Sequence, residues 1–278
     1  MHIARTLDDL RQVLSTSRKP AFVATMGNLH DGHIALVSQA RTMGDACVAS
    51  IFVNRLQFLP HEDFDSYPRT WETDCAKLEA AGCDLLFAPR ETDLYPEVQT
   101  FKVHPDPALA DLLEGQFRPG FFVGVSTVVM KLFSAVFGTR PGGVALFGKK
   151  DYQQLLVIRG MARQFALPVE IVAGETRRAG DGLALSSRNG YLSEAERAEA
   201  VQLSRTLKEM VAALAAGGRD YAAIEAGAMD SLLRRGWKPD YMAVRRRSDL
   251  QLPTGQEALM VLGAARLGTV RLIDNTEV

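Results

Sequence analysis

The stretch Ala24-Thr25-Met26-Gly27-Asn28-Leu29-His30-Asp31-Gly32-His33 follows a short apolar run, Ala21-Phe22-Val23, and leads into an apolar-periodic segment. It reads as a buried strand, a glycine-bearing loop and the first turn of a helix. In an α/β protein that arrangement presents backbone N–H groups and, here, two imidazoles to a phosphate chain. Gly27 and Gly32 allow close backbone approach at this point.

Working outward, Ala46 to Val53, Asp84 to Ala88 and Val169 to Val172 also read as buried strands, with helical periodicity in most of the intervals. Alternating strands and helices predict a Rossmann-like parallel sheet covered on both faces. Asp151 to Phe165 has apolar residues at Leu155, Ile158, Met161, Ala162 and Phe165, which predicts one buried helical face with Gln153 and Gln154 at its start. After residue 176 the pattern changes. Ser193-Glu194-Ala195-Glu196 is a capping box opening an Ala/Leu-rich helix that should stop at Gly217-Gly218. A second helix follows, and Tyr241 to Arg247, Ala258 to Ala265 and Thr269 to Ile273 read as antiparallel strands. The expected organisation is an α/β domain over residues 1–176 and a smaller α+β lid domain over residues 177–278.

Lys and Arg number 32 against 33 Asp and Glu, so no global field attracts nucleic acid or an acidic membrane, and an anionic ligand must be gripped locally. The three cysteines, Cys47, Cys75 and Cys83, have no C-x-x-C spacing, which argues against a disulfide framework or a zinc site. The N-terminus carries no apolar leader, and the longest apolar stretch, Phe121 to Phe137, is interrupted by Gly124, Ser126 and Lys131. A cytoplasmic chain without a membrane span is expected.

Four segments carry candidate chemistry. His30 and His33 lack a third ligand at metal spacing, so no metal site is expected there; the alternatives are loop hydrogen bonds or donation to phosphate oxygens. Gly148-Lys149-Lys150-Asp151, at a strand-to-helix junction, offers lysine to a phosphate and a carboxylate to ribose hydroxyls. Leu185-Ser186-Ser187-Arg188, at the inferred domain junction, offers hydroxyls and a guanidinium to a triphosphate. Asn54 and Gln57 follow a buried strand, and uncharged amides suit a substrate with hydroxyls.

Together these segments resemble the pantothenate synthetase family, the pantoate–β-alanine ligases, which belong to the nucleotidyltransferases related to class I aminoacyl-tRNA synthetases. The matching strings are Thr-Met-Gly-Asn-Leu-His-Asp-Gly-His at 25–33, Ser-Ile-Phe-Val-Asn at 50–54, Tyr-Pro-Arg-Thr at 67–70 and Gly-Val-Ser-Thr-Val-Val at 124–129. They continue with Lys-Asp-Tyr-Gln-Gln-Leu at 150–155, Asp-Gly-Leu-Ala-Leu-Ser-Ser-Arg-Asn at 181–189 and Arg-Leu-Ile-Asp-Asn at 271–275. They run in order along essentially the whole chain.

The resemblance implies ATP-dependent condensation of pantoate with β-alanine through a pantoyl adenylate, releasing pyrophosphate and AMP, with Mg²⁺ accompanying ATP. It implies an ATP site formed by Met26, Gly27, Asn28, Leu29, His30, Asp31, Gly32 and His33, with Gly148, Lys149, Lys150 and Asp151, and with Leu185, Ser186, Ser187 and Arg188. His33 is then the proton donor, His30 its phosphate-facing companion, and Lys150 and Arg188 complete the catalytic set. Gln57 and Gln154, with Asn54 beside them, take pantoate. A homodimer is a further family expectation, for which Phe121-Phe122-Val123 offers a sheet or subunit contact. The chain departs from the family where proline is usual, at Ala24 and Arg55, and where Phe121 and Val123 replace a histidine and an arginine.

Overall fold

The computed structural model describes residues 1–60 and 62–278. Six strands form one parallel sheet: β1 (His2–Ala4), β2 (Pro20–Thr25), β3 (Ala46–Ile51), β4 (Leu85–Phe87), β5 (Gly143–Gly148) and β6 (Val169–Gly174). Their spatial order is β1-β4-β3-β2-β5-β6. Helices α1 (Leu7–Val13), α2 (Asp31–Ala40), α3 (Trp71–Ala80), α7 (Phe121–Phe137) and α8 (Tyr152–Gln164) make the crossovers, with single turns α4 (Glu91–Leu94), α5 (Pro107–Ala110) and α6 (Glu114–Phe117) before α7. The sheet grows from β2 in one direction through β3 and from β5 in the other. The crevice at the carboxyl ends of β2 and β5 is therefore the topological switch point, where open α/β sheets hold ligands.

Both faces of this sheet are apolar because successive side chains alternate. On β2, Ala21 and Val23 pack with Val37, Leu78 and Leu146, whereas Phe22 points to the other face. There it meets Phe133 and Phe137 of α7 edge to face, with ring centroids 6.5 and 6.3 Å away. Truncating such a buried ring costs about 3–5 kcal/mol. The strands at residues 46–53, 84–88 and 169–172 appear where expected, and the helix at 151–165 starts one residue later. Its predicted buried face is right except at Phe165, which is 58% exposed because it lies past the last helical turn. Phe121-Phe122-Val123 is the first turn of α7, not a strand, and Phe122 is buried within its own chain.

The second sheet is antiparallel, ordered β7 (Lys238–Arg246), β8 (Leu259–Leu267) and β9 (Val270–Glu277). The capping box is present: the Ser193 Oγ accepts from the Glu196 N–H and the Glu196 carboxylate accepts from the Ser193 N–H. The helix it opens is divided at Ala200 into α9 (Glu194–Glu199) and α10 (Val201–Ala215), and it stops before Gly217. With α11 (Tyr221–Arg234) it covers one face of the small sheet around Trp237. Alternation along β8 sends Val261 and Ala265 to that core, while Met260 and Leu262 join the core of the large sheet beside Tyr152 and Leu155. Polar contacts reinforce the seam. Arg271 of β9 donates to both Glu114 oxygens at 2.7 and 2.8 Å and to Asp240 at 2.6 Å.

No helix among the described residues is long and apolar enough to cross a membrane. Cys47, Cys75 and Cys83 are free thiols.

Candidate active site

Helix α2 starts where its N-cap residue, His30, leaves the extended conformation. The His30 Nδ1 accepts from the Gly32 N–H at 3.1 Å, and the His33 Nδ1 accepts from the His30 N–H at 3.3 Å. A backbone N–H can only donate, so both Nδ1 atoms are unprotonated and each neutral ring carries its proton on Nε2. The rings lie 4.0 Å apart, tilted by 33°. A Cβ at Gly32 would come within 2.8 Å of the His30 ring and force it to shift. Burial pulls the His30 pKa down to about 4, helped by Lys150, and burial with the neighbouring His30 and Lys150 pulls His33 down to about 3. Near pH 7 the pair is therefore two neutral N–H donors.

The loop's amides are used differently from expectation. The N–H groups of Asn28 and Leu29 both go to the Asp74 carboxylate at 2.8 Å, and that of Gly27 to the Thr25 Oγ at 3.3 Å. Those of His30 and Gly32 are taken by the imidazoles. A phosphate here meets side-chain donors more than backbone ones.

At the end of β5, residues 149–151 make a 3-10 turn into α8. The Asn275 side chain of β9 clamps that turn, donating to the carbonyls of Lys149 and Lys150 at 2.9 and 2.7 Å. Lys150 has no ion-pair partner among the described residues. Lys149 instead turns away to Glu175 at 2.6 Å and Glu277 at 3.1 Å. Asp274, next to Asn275, holds Arg178 at 2.6 and 2.9 Å. Arg271 and Asn275 of the string Arg-Leu-Ile-Asp-Asn thus tie the small sheet to the crevice.

The segment 185–188 docks onto the histidine loop. The Ser187 Oγ donates to the Asn28 carbonyl and the Asn28 side chain donates to the Ser187 carbonyl, each at 3.1 Å. The Ser186 Oγ caps the following turn by accepting from the Arg188 N–H at 3.3 Å. Arg188 is held by both oxygens of Asp63, at 3.1 and 2.8 Å, while neighbouring Glu62 pairs with Arg118. Lys150, Asp151, Gln154, Ser186 and Arg188 line one cavity of about 500 Å³ together with Glu62 and Asp63. His30, His33 and Gln57 do not line that cavity; the charge of Lys150 reaches both histidines, and Gln57 lines a separate cavity of about 300 Å³ with Phe121 and Thr127.

Gln57 follows β3 and lies against Met26, its Nε2 3.1 Å from the sulfur. Asn54 is only 1% exposed and is fully engaged: its Nδ2 donates to the Gln57 Oε1 and the Gly124 carbonyl, and its Oδ1 accepts from the Tyr95 hydroxyl. It therefore orients Gln57 and turns no free group toward a ligand. Helix α7 packs close here because Gly124 has no side chain; a Cβ would fall 2.2 Å from the Leu56 carbonyl oxygen. Gln153 and Gln154 both line the cavity, but the Gln153 amide is buried and engaged by the α5–α6 backbone. Of the departures, Arg55 stacks on Phe64 at 3.8 Å, and Phe121 lies under the Arg118 guanidinium at 3.7 Å. The sequence assigns no role to Asp74 or Asp63, and none to Asn275 beyond its place in the string at 271–275, since each acts on a partner more than 40 positions away.

A doubly wound parallel sheet with neutral imidazoles, an arginine and a lysine that has no ion-pair partner among the described residues, gathered at its switch point, defines an α/β nucleotide-handling enzyme. Residues 2–277 match the family model described as pantoate-β-alanine ligase. The chain is 68% identical over 281 residues to pantothenate synthetase of Paracidovorax citrulli and 68% identical to that of Verminephrobacter eiseniae, each alignment covering 100% of both chains. The crystal structure of pantothenate synthetase from Thermus thermophilus superposes with a TM-score of 0.93 at 44% identity, covering 100% of this chain and 99% of that one. That of the Francisella tularensis pantoate-β-alanine ligase, complexed with β,γ-ATP and β-alanine, gives 0.82 at 30% identity, covering 100% and 97%. This chain belongs to the pantoate–β-alanine ligase family, and its reaction is the ATP-dependent condensation of those two compounds.

Proposed function

We propose that the crevice runs this condensation in two half-reactions. The carboxylate oxygen of pantoate attacks the α-phosphorus of ATP and the bond to pyrophosphate breaks, giving pantoyl adenylate. The amine of β-alanine then attacks the activated carbonyl, loses a proton, and AMP leaves as pantothenate forms. The mutual hydrogen bonds between Asn28 and Ser187 are the observation that carries this reading, because they bring both phosphate-directed segments to one place.

In this scheme the Nε2–H groups of His30 and His33 donate to phosphate oxygens as neutral imidazoles, stabilising charge that builds as the P–O bond breaks. The low pKa of His33 favours that hydrogen-bonding role over transfer of a proton from an imidazolium. Lys150 supplies fixed positive charge, and Arg188 exchanges Asp63 for the triphosphate. Asp151, a carboxylate without a partner among the described residues, reaches the ribose hydroxyls. Gln57 and Gln154 read the hydroxyl and carboxylate of pantoate, with Asn54 supporting Gln57.

Mg²⁺ enters with ATP. No group of three or more potential metal ligands occurs among the described residues, and the donor set suits an ion kept by phosphates and water. When bound it neutralises phosphate charge.

Residues 177–278 act as the lid, residues 1–176 as the base, and the enzyme works in the cytoplasm as a homodimer. Val98 and Phe101, 85% and 89% exposed on one extended stretch, support a subunit contact there; a monomer mass by light scattering at micromolar concentration would defeat it. The test of the chemistry is exchange of labelled pyrophosphate into ATP with pantoate present and β-alanine absent. Exchange that strictly requires β-alanine would reject a free adenylate.

A further inference from the structure

Helix α3 lies under the histidine loop and sends two side chains into it. Asp74 is 1% exposed, and no cation pairs with it among the described residues. Its two oxygens accept from the consecutive N–H groups of Asn28 and Leu29, both at 2.8 Å. Gly27 and Asn28 have positive φ, 86° and 49°, so the loop makes the kind of concave amide nest that binds anions. The nest is filled by the protein's own carboxylate. One helical turn further, the Lys77 Nζ donates to the Leu29 carbonyl at 2.6 Å. The peptide groups just before His30 are thus held from both ends by one helix.

We infer that Asp74 and Lys77 are positioning residues for adenylation, fixing the left-handed turn at Gly27–Asn28 and, through it, the direction in which the His30 and His33 Nε2–H groups point. The inference rests on the reading of those histidines as phosphate contacts. The buried carboxylate replaces two hydrogen bonds that the amides would otherwise make to water or to ligand, and it does so 46 positions away in sequence. An amide cannot substitute, because its NH₂ would face one of the two loop N–H groups, donor against donor. A longer acid moves the oxygens along the nest. Of the pantoate-facing glutamines, Gln154 at the start of α8 is on another element, and Gln57, in the turn after β3, meets this loop only at Met26, ahead of the clipped amides.

The test compares Asp74→Asn, Asp74→Glu, Lys77→Met and His33→Ala in the full chain by pantoate-dependent pyrophosphate exchange, with melting curves for each. Asp74→Asn and Asp74→Glu should both lose about 10- to 100-fold in kcat, the scale for misplacing a catalytic group by about 1 Å. The KM for pantoate should stay within about threefold of the parent. Lys77→Met should lose about 3- to 10-fold in the same pattern. An exchange kcat for Asp74→Asn within threefold of the parent overturns the inference, and so does a loss confined to KM. If both Asp74 variants fail to fold, Lys77→Met decides, and parental kcat in that variant overturns it. Near-parental exchange in His33→Ala instead sinks the reading of the histidines, whereas a loss there with parental Asp74→Asn sinks only the role of α3.

Discussion

Replacing His33 with asparagine separates two jobs of one ring. The Nδ1 closes the first turn of α2 by accepting from the His30 N–H at 3.3 Å, and the Nε2–H is the proposed phosphate contact. Asparagine places its Oδ1 near the former Nδ1 position and has nothing at Nε2. The cap bond is long and part-buried, so even its complete loss would cost about 1 kcal/mol, and the retained acceptor should keep the change below that. Removing one preorganised donor to a developing anion costs about 2.7–4 kcal/mol of activation free energy, or a factor of roughly 10²–10³. The catalytic effect therefore exceeds the structural one severalfold. Rapid-quench measurement of pantoyl adenylate in a single turnover without β-alanine reads it directly, alongside urea unfolding. Adenylation within fivefold of the parent would refute the assignment.

The same variant carries a pH signature. Burial lowers the folded-state pKa values of both histidines, to about 3 and 4, below the unfolded value of 6.5. Below that value the unfolded chain binds protons that the folded chain does not. Their contribution is intact above pH 6.5 and is lost as pH falls toward the folded values. His33→Asn, with one such group removed, should lose stability less steeply between pH 6.5 and 4.

Arg188→Ala is expected to slow adenylation by about 10²–10³-fold, since the guanidinium offers two donors to phosphate, while circular dichroism stays native; unaltered single-turnover rates would assign Arg188 to the Asp63 contact alone. Gln57→Ala should lower kcat/KM for pantoate by about 1–3 kcal/mol and leave the KM for ATP within a few-fold, and pantoate lacking its 2-hydroxyl should be a poor substrate for the parent; equal weakening of both substrates would make Gln57 a loop support. Glu114→Ala leaves Arg271 buried with only Asp240 and should cost about 3 kcal/mol in denaturant unfolding, a loss under 1 kcal/mol counting against the ion trio as a clamp between the sheets. Burial alone would raise the Glu114 pKa, but Arg271 holds it below the ordinary carboxylate range, so this contribution is present above the unfolded pKa and vanishes as pH falls through the folded one.

The sequence by itself determined most of the elements, though not the short edge strand β1, and the chemistry-bearing types. The strand–loop–helix at 21–37, the capping box at Ser193 and the alternating strands after residue 240 are set by contacts a few positions apart, and such contacts leave a period or a signature in the chain. His30, His33, Lys150 and Arg188 were legible for the same reason, each lying in a short segment whose residue types suit one kind of ligand. What each group does with its neighbours was decided only by the tertiary structure. Asn28 finds Asp74 across 46 positions and Ser187 across 159. Lys149 is drawn to Glu175 and Glu277, and Asn54 is consumed by Gln57, Gly124 and Tyr95. No local pattern encodes those partners, because a buried hydrogen-bonding group takes whichever complementary group the packing of distant elements brings within about 3 Å.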